Sequence, residues 1–223
     1  MKVLIDGDIV AFRCAASAEG EEEAFIACGR AGALIEEIIL AVGADSYEVW
    51  LSGDDNFRYK VYPEYKAHRR DAYRPKWERD CKDFMVRAWQ ANHSTGCEAD
   101  DMLGVRATEL GDESIIATID KDLNMIPGWH YNFVKKEKYS VTEAEAIRFF
   151  YKQLITGDST DNIKGIPGLG PKKADRLLDG LEGEAAYYKA VKDNYGSEEE
   201  MLMNGRCLWI WRKPGDIWKS AMA

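Results

Sequence analysis

The residues of this chain that could do chemistry are carboxylates, and they recur close together. Asp158 and Asp161 fall in the stretch from Gly157 to Ala174, which reads GDSTDNIKGIPGLGPKKA. Asp120 and Asp122 flank Lys121. Glu98, Asp100 and Asp101 sit together, Asp6 follows an apolar run, and Asp54 and Asp55 follow another. Singly, each has an ordinary reading, since Asp after a strand is turn chemistry and Asp at a helix start is capping. Jointly they would repel strongly unless cations neutralised them. Oxygen donors suit the hard cations Mg²⁺ and Mn²⁺. His68, His93 and His130 are isolated, and Cys14, Cys28, Cys81, Cys97 and Cys207 show no CxxC spacing, so nothing favours zinc. Two hard cations about 4 Å apart would clamp the attacking and leaving oxygens of a phosphodiester and acidify a bound water. Ser52 and Ser159 lie near acids but have no base partner. Metal-bound water is therefore the expected nucleophile.

The second half of the same stretch suits a phosphate backbone. Gly165, Gly168 and Gly170 let the chain approach a ligand closely. Pro171 fits the first position of a helix whose opening amides favour anions, and Lys172 and Lys173 add charge there. Such contacts read backbone rather than bases. A net charge of -9 argues against a nucleic-acid partner until its distribution is considered. From Asn56 to Arg87 there are ten Lys/Arg against five Asp/Glu, a local balance of +5. Tyr62, Tyr65, Tyr73 and Trp77 interleave with those cations. They read equally as stacking platforms for bases or as core anchors.

The elements that must position these groups follow from periodicity. Val3 to Ile5 reads as a buried strand ending at Asp6, and Tyr47 to Leu51 as a strand ending before Asp54 and Asp55. Ser114 to Ile119 leads to Asp120, and His130 to Val134 is a fourth strand. A helix is predicted over Glu22 to Val42, with Phe25, Ile26, Leu34, Ile35, Ile38 and Ile39 inward and Gly43 as its stop. Helices are also predicted near Pro63 to Arg70, Lys76 to Trp89, Glu98 to Leu110, and Thr142 to Ile155, the last with a Thr142/Glu145 capping box. Three more follow, near Lys172 to Leu178, Gly183 to Tyr195 and Ser197 to Trp211. Alternating strands and helices imply a mostly parallel sheet, with ligands outside the carboxyl ends of its strands. The 223 residues, 46% hydrophobic, can bury one substantial core. No apolar run suits a membrane span or signal peptide, and scattered cysteines fit reduced thiols in the cytoplasm.

With these motifs in order, the chain resembles the 5′ nuclease family of flap endonucleases and 5′-3′ exonucleases. That family includes free-standing phage enzymes and the N-terminal domain of bacterial DNA polymerase I. The resemblance rests on Asp6 after the first strand, PEYKAHR (Pro63 to Arg69), GCEADD (Gly96 to Asp101), TIDKD (Thr118 to Asp122) and GDSTDNIKGIPGLGPKKA. It implies a PIN-like α/β catalytic domain over 1–156 with a helical arch at about 56–95. A helix-hairpin-helix element and C-terminal helices would occupy 157–223. It implies one metal at Asp6, Asp54, Glu98, Asp100 and Asp101 and another toward Asp120, Asp122, Asp158 and Asp161. The compressed turn SGDDNFR leaves Asp54 and Asp55 as alternatives. Lys66 and Arg69 would contact the scissile phosphate, with Asp120 and Asp158 catalytic. Arg70, Gly165, Gly168, Gly170, Lys172 and Lys173 would join Lys66 and Arg69 in binding DNA, with K⁺ at the hairpin.

The implied function is a Mg²⁺-dependent, structure-specific 5′ nuclease acting on DNA 5′ ends and flaps by a two-metal mechanism. It would be monomeric, cytoplasmic in a phage-infected or uninfected bacterium, and free of membrane or organic cofactor. One alternative acts mainly on RNA in RNA-DNA hybrids. Another is a non-catalytic DNA-binding relative, whose mark would be missing carboxylates.

Overall fold

The computed structural model describes residues 1–69 and 72–219. In chain order these form β1 (Lys2–Asp6), α1 (Gly7–Ser17), α2 (Ala24–Val42), β2 (Ser46–Leu51), α3 (Arg58–Val61), α4 (Glu78–Trp89), β3 (Asn92–His93), α5 (Ala99–Leu110) and β4 (Ser114–Ala117). Then come β5 (Gly128–Asn132), β6 (Glu137–Val141), α6 (Glu143–Thr156), β7 (Gly157–Asp158), β8 (Ile163–Lys164), α7 (Pro171–Leu178), α8 (Glu184–Lys192) and α9 (Glu198–Leu208).

Six strands form one sheet in the order β3-β2-β1-β4-β5-β6. β1 lies inside it, parallel to β2 and β4; β3 and β5 extend it in parallel, and β6 closes one edge antiparallel to β5. Successive strand side chains face opposite ways, so β1 sends Val3 and Ile5 into one core and Leu4 into the other. β4 divides Ile115 and Ala117 from Ile116 in the same manner. The first core is closed by α1, α2 and α4 through Val10, Ile35, Ile38 and Met85. The second runs from Leu103 of α5 through Phe150 and Leu154 of α6 to Leu178, Val191 and Met201. The mixed, mostly parallel sheet flanked by helices is the architecture that strand-helix alternation implied. Packing in the second core does not break at residue 156.

Several local expectations change. Gly7–Ser17 is a helix that the sequence reading passed over. It starts directly beneath β2, where a Cβ on Gly7 would lie 2.7 Å from the Trp50 carbonyl oxygen, so glycine is required. α2 turns Ala27 and Ala31 inward, because α1 and α4 pack close against it, and leaves Phe25 69% exposed. Pro63 to Arg69 is not a continuous helix: Pro63 cannot donate, Lys66 sits at φ +53°, and a short 3₁₀ turn forms at Ala67–Arg69. β4 stops at Ala117, which frees Thr118 for the site, and β6 was not anticipated as partner to β5.

Candidate active site

Asp6 closes β1 at the carboxyl edge of the sheet. As the N-cap of α1 it accepts from Ile9 N–H at 3.1 Å, and its other oxygen accepts from the Thr118 hydroxyl at 2.7 Å. Burial raises its pKa to about 7, and the charges of Asp8 and Asp120 add to the rise. Asp100, in the first turn of α5, is pushed well above the usual carboxylate range by burial and then by Asp6, Asp120 and Glu98. Asp122 is raised to about 6 by burial and by Asp120. Acids from β1, the β4 loop and α5 therefore share one low-dielectric space and repel one another.

Two lysines offset part of this charge. Lys66 Nζ is 2.5 Å from Glu98 Oε1 and 3.7 Å from Asp161 Oδ1, and Arg69 reaches Asp161 at 3.3 Å. Burial alone would raise the Glu98 pKa, yet Lys66 and Arg58 hold it below the ordinary value. Asp161 moves upward, because burial and Glu98 outweigh Lys66 there. On the other flank Lys121 lies 3.0 Å from Asp122 and 3.8 Å from Asp158. Asp158 is buried, which favours its neutral form, but Thr160 N–H, Lys121 and Gln153 keep its pKa low. Gln153 Nε2 donates to both Asp122 at 2.9 Å and Asp158 at 3.0 Å, tying α6 to the two acids.

The turn between β7 and β8 sets Asp161. Lys66 N–H donates to the Asp161 carbonyl at 3.0 Å, and Asn162 Nδ2 donates to the Glu64 carbonyl at 2.8 Å. These contacts hold Lys66 in the left-handed region, a conformation that non-glycine residues adopt at a cost. Tyr65 is a core anchor rather than a stacking platform: it is 1% exposed, and its hydroxyl lies 3.0 Å from Glu98 and 2.8 Å from Asp161. Tyr73 is exposed and Trp77 packs against the first core.

From β8 the chain enters the hairpin and then α7, which begins with Pro171 at its first turn. Gly165 serves the fold rather than a ligand, since a Cβ there would meet Thr156 C at 2.2 Å. Gly168, at φ +78°, and Gly170 face open space, while Lys172 and Lys173 are exposed beside them. Lys173 Nζ donates to the Gly168 carbonyl at 2.9 Å and bends over the hairpin.

Not every expected residue joins the group. Asp54 is exposed and has no partner among the described residues, whereas one oxygen of the exposed Asp55 accepts from Gly96 N–H at 2.8 Å. Asp101 is wholly buried and turned to Arg58 instead. Arg70 lies outside the described residues. The sequence alone did not show Tyr65 as a hydroxyl that orients Glu98 and Asp161, and it gave Thr118, Gln153 and Arg58 no role in the site. Their partners are distant in sequence, and no local signal announces them.

Whether divalent cations fit can be judged from the donors. Among the described residues no three acids form a ready-made cage. Mg²⁺ keeps several waters and takes one or two carboxylates plus substrate phosphate, so a looser ring of oxygens serves it. Asp6 and Asp100 are each disfavoured as anions by burial and by Asp120, and Asp122 by burial, Asp120 and Asp158, so these oxygen donors gain from added positive charge. The residues fit.

No protein-family profile matches the chain. Among curated proteins it is 29% identical over 182 residues to the flap endonuclease Xni of Shewanella piezotolerans, covering 72% of this chain and 68% of that one. It is 33% identical over 144 residues to DNA polymerase I of Chloroflexus aurantiacus, covering 55% of this chain and 15% of the polymerase. In sequence the chain is similar to a flap endonuclease and to part of a DNA polymerase I. Solved structures agree on the fold. The T5 5′-exonuclease, determined with zinc ions bound, superposes with a TM-score of 0.73 at 20% identity, over 93% of this chain and 89% of that one. The bacteriophage T5 flap endonuclease in complex with DNA and metal ions gives a TM-score of 0.70 at 19% identity, over 93% and 88%. Among the described residues, no helix is long and apolar enough to cross a membrane.

Proposed function

We propose that the chain is a Mg²⁺-dependent, structure-specific 5′ nuclease that hydrolyses phosphodiester bonds at DNA 5′ ends and 5′ flaps. One observation carries this reading: mutually repelling acids converge at the carboxyl edge of the sheet, beside Lys66 and Arg69 and one turn away from the hairpin. Asp6, Glu98 and Asp100 would hold one cation, with Asp54 reaching it through water. Asp120, Asp122, Asp158 and Asp161 would hold another. Bound there, the cations would acidify a water and offset charge on the leaving oxygen. Lys66, released from Glu98 and Asp161 as cations take over their neutralisation, would turn to the scissile phosphate together with Arg69. Gly168, Gly170, Lys172 and Lys173 would grip duplex backbone, with K⁺ at the hairpin.

A 5′-flap duplex, a blunt duplex and an RNA-DNA hybrid, each incubated with Mg²⁺ or with EDTA, test the reading, using Asp120→Ala as control. Mg²⁺-dependent cutting near the flap junction is expected. Cutting in EDTA, or full activity of Asp120→Ala, would sink the mechanism, and preferential cutting of the hybrid would reassign the substrate.

A further inference from the structure

Asp101 belongs to a motif rich in candidate ligands, yet its surroundings assign it another task. Its side chain is 0% exposed. Oδ1 accepts from Arg58 Nη2 at 2.9 Å and from Trp211 N–H at 3.1 Å. Oδ2 accepts from Arg58 Nη1 at 2.6 Å and from Glu98 N–H at 3.0 Å. A carboxylate offers about four acceptor positions, and all four are filled. No lone pair remains for a cation.

Arg58 is equally committed and 2% exposed. Nε donates to the Cys207 carbonyl at 2.7 Å and Nη2 to the Trp209 carbonyl at 2.8 Å, while Nη1 also faces Glu98 at 3.8 Å. Phe57 stacks on Trp211 with ring centroids 5.0 Å apart. The backbone from Cys207 to Trp211 is thus fastened through one buried ion pair to the N-terminus of α5. There Asp101 fixes the amide of Glu98, whose carboxylate orients Lys66 and Tyr65.

From this we infer that Arg58 and Asp101 are positioning residues, forming a clasp through which the segment Cys207 to Trp211 sets Glu98, and that Asp101 ligates no metal. The inference rests on the nuclease reading for its kinetic consequence, but its ligand count stands apart from it.

The test compares the wild-type chain, Asp100→Asn, and the apolar pair Arg58→Met with Asp101→Leu. Replacing a buried ion pair by apolar groups of similar volume leaves a route to a folded protein, whereas removing one partner strands a charge. Mn²⁺ binding is read by calorimetry, and kcat and KM on a 5′-flap duplex. The apolar pair should bind the wild-type number of Mn²⁺ ions, with kcat lowered about tenfold to a hundredfold and KM little changed, as for groups acting through a ligand. Asp100→Asn should weaken Mn²⁺ binding itself. A Mn²⁺ ion lost from the folded apolar pair would overturn the assignment, and so would a wild-type kcat. If that pair fails to fold, Arg58→Met with Asp101→Asn, which keeps an acceptor oxygen for the Glu98 and Trp211 amides without the charge, is read identically. Should the wild type cleave nothing, the nuclease reading falls, while the Mn²⁺ count still judges Asp101.

Discussion

Lys66 Nζ and Glu98 Oε1 are joined at 2.5 Å, and the Lys66 backbone is held at φ +53° by its N–H bond to the Asp161 carbonyl. A strained backbone persists where its surroundings over-determine it, and here the surroundings are the candidate ligands themselves. Lys66→Ala should therefore act on chemistry. Single-turnover cleavage of a 5′-flap duplex should slow about 10²-fold or more, with duplex affinity changed only a few-fold. Equal losses in rate and affinity would show that Lys66 is a binding residue.

The hairpin should behave in the opposite way. Lys172 and Lys173 are exposed beside Gly168 and Gly170, and among the described residues neither has a carboxylate partner, Lys173 turning to the Gly168 carbonyl. Changing both to Ala should weaken duplex binding and reduce the slope of log K against log salt by about 2, with the rate at saturating DNA little altered. An unchanged salt slope would remove the hairpin from the interface.

Crowding of acids that serves a cation costs stability without one. Burial, Asp6, Asp120 and Glu98 all disfavour the charged form of Asp100. Asp100→Asn is expected to raise the stability of the metal-free protein by about 1 kcal/mol while abolishing Mg²⁺-dependent cleavage. Urea unfolding in EDTA measures the first and a flap assay the second. A destabilised Asp100→Asn protein would mean that the site carries no stored repulsion.

Acid sensitivity has a separate source, away from the cluster. Glu48 on β2 is partly buried, which by itself would raise its pKa, but Arg106, Lys2 and Trp50 hold it down to about 2. Its folded pKa lies below the unfolded value near 4.3, so its contribution is present above that value and is lost as pH falls through about 2. Glu48→Gln should cost about 1–2 kcal/mol at pH 7, discounted for partial exposure, and progressively less below about pH 4. Urea titrations of both proteins at several pH values decide it. A difference independent of pH would assign the loss to packing.

Gly165 packs where a Cβ would lie 2.3 Å from the Ile155 carbonyl oxygen. Gly165→Ala is expected to destabilise the protein by about 2–4 kcal/mol through displacement of the α6–β7 junction, whereas Gly170→Ala, which faces open space, should fold normally. Thermal unfolding of the pair separates them.

The sequence alone was enough for the parallel sheet, because apolar runs alternating with helical periodicity leave few other architectures. It also placed Asp6 at a strand end, Thr142 and Glu145 in a capping box, and Pro171 at the head of a helix, since strand ends and caps are written in neighbouring residues. It could name candidate ligands but not sort them. Asp100 and Asp101 are adjacent and chemically alike, yet one faces Asp6 and Asp120 while the other is spent on Arg58 and Trp211. One oxygen of Asp55 is tied to Gly96 beside an unengaged Asp54, and Tyr65 turned out to orient two acids rather than meet a base. Those assignments depend on partners up to 110 residues away in sequence. A side chain's type is local, but its desolvation and its hydrogen-bond partners are set by whatever the fold brings against it.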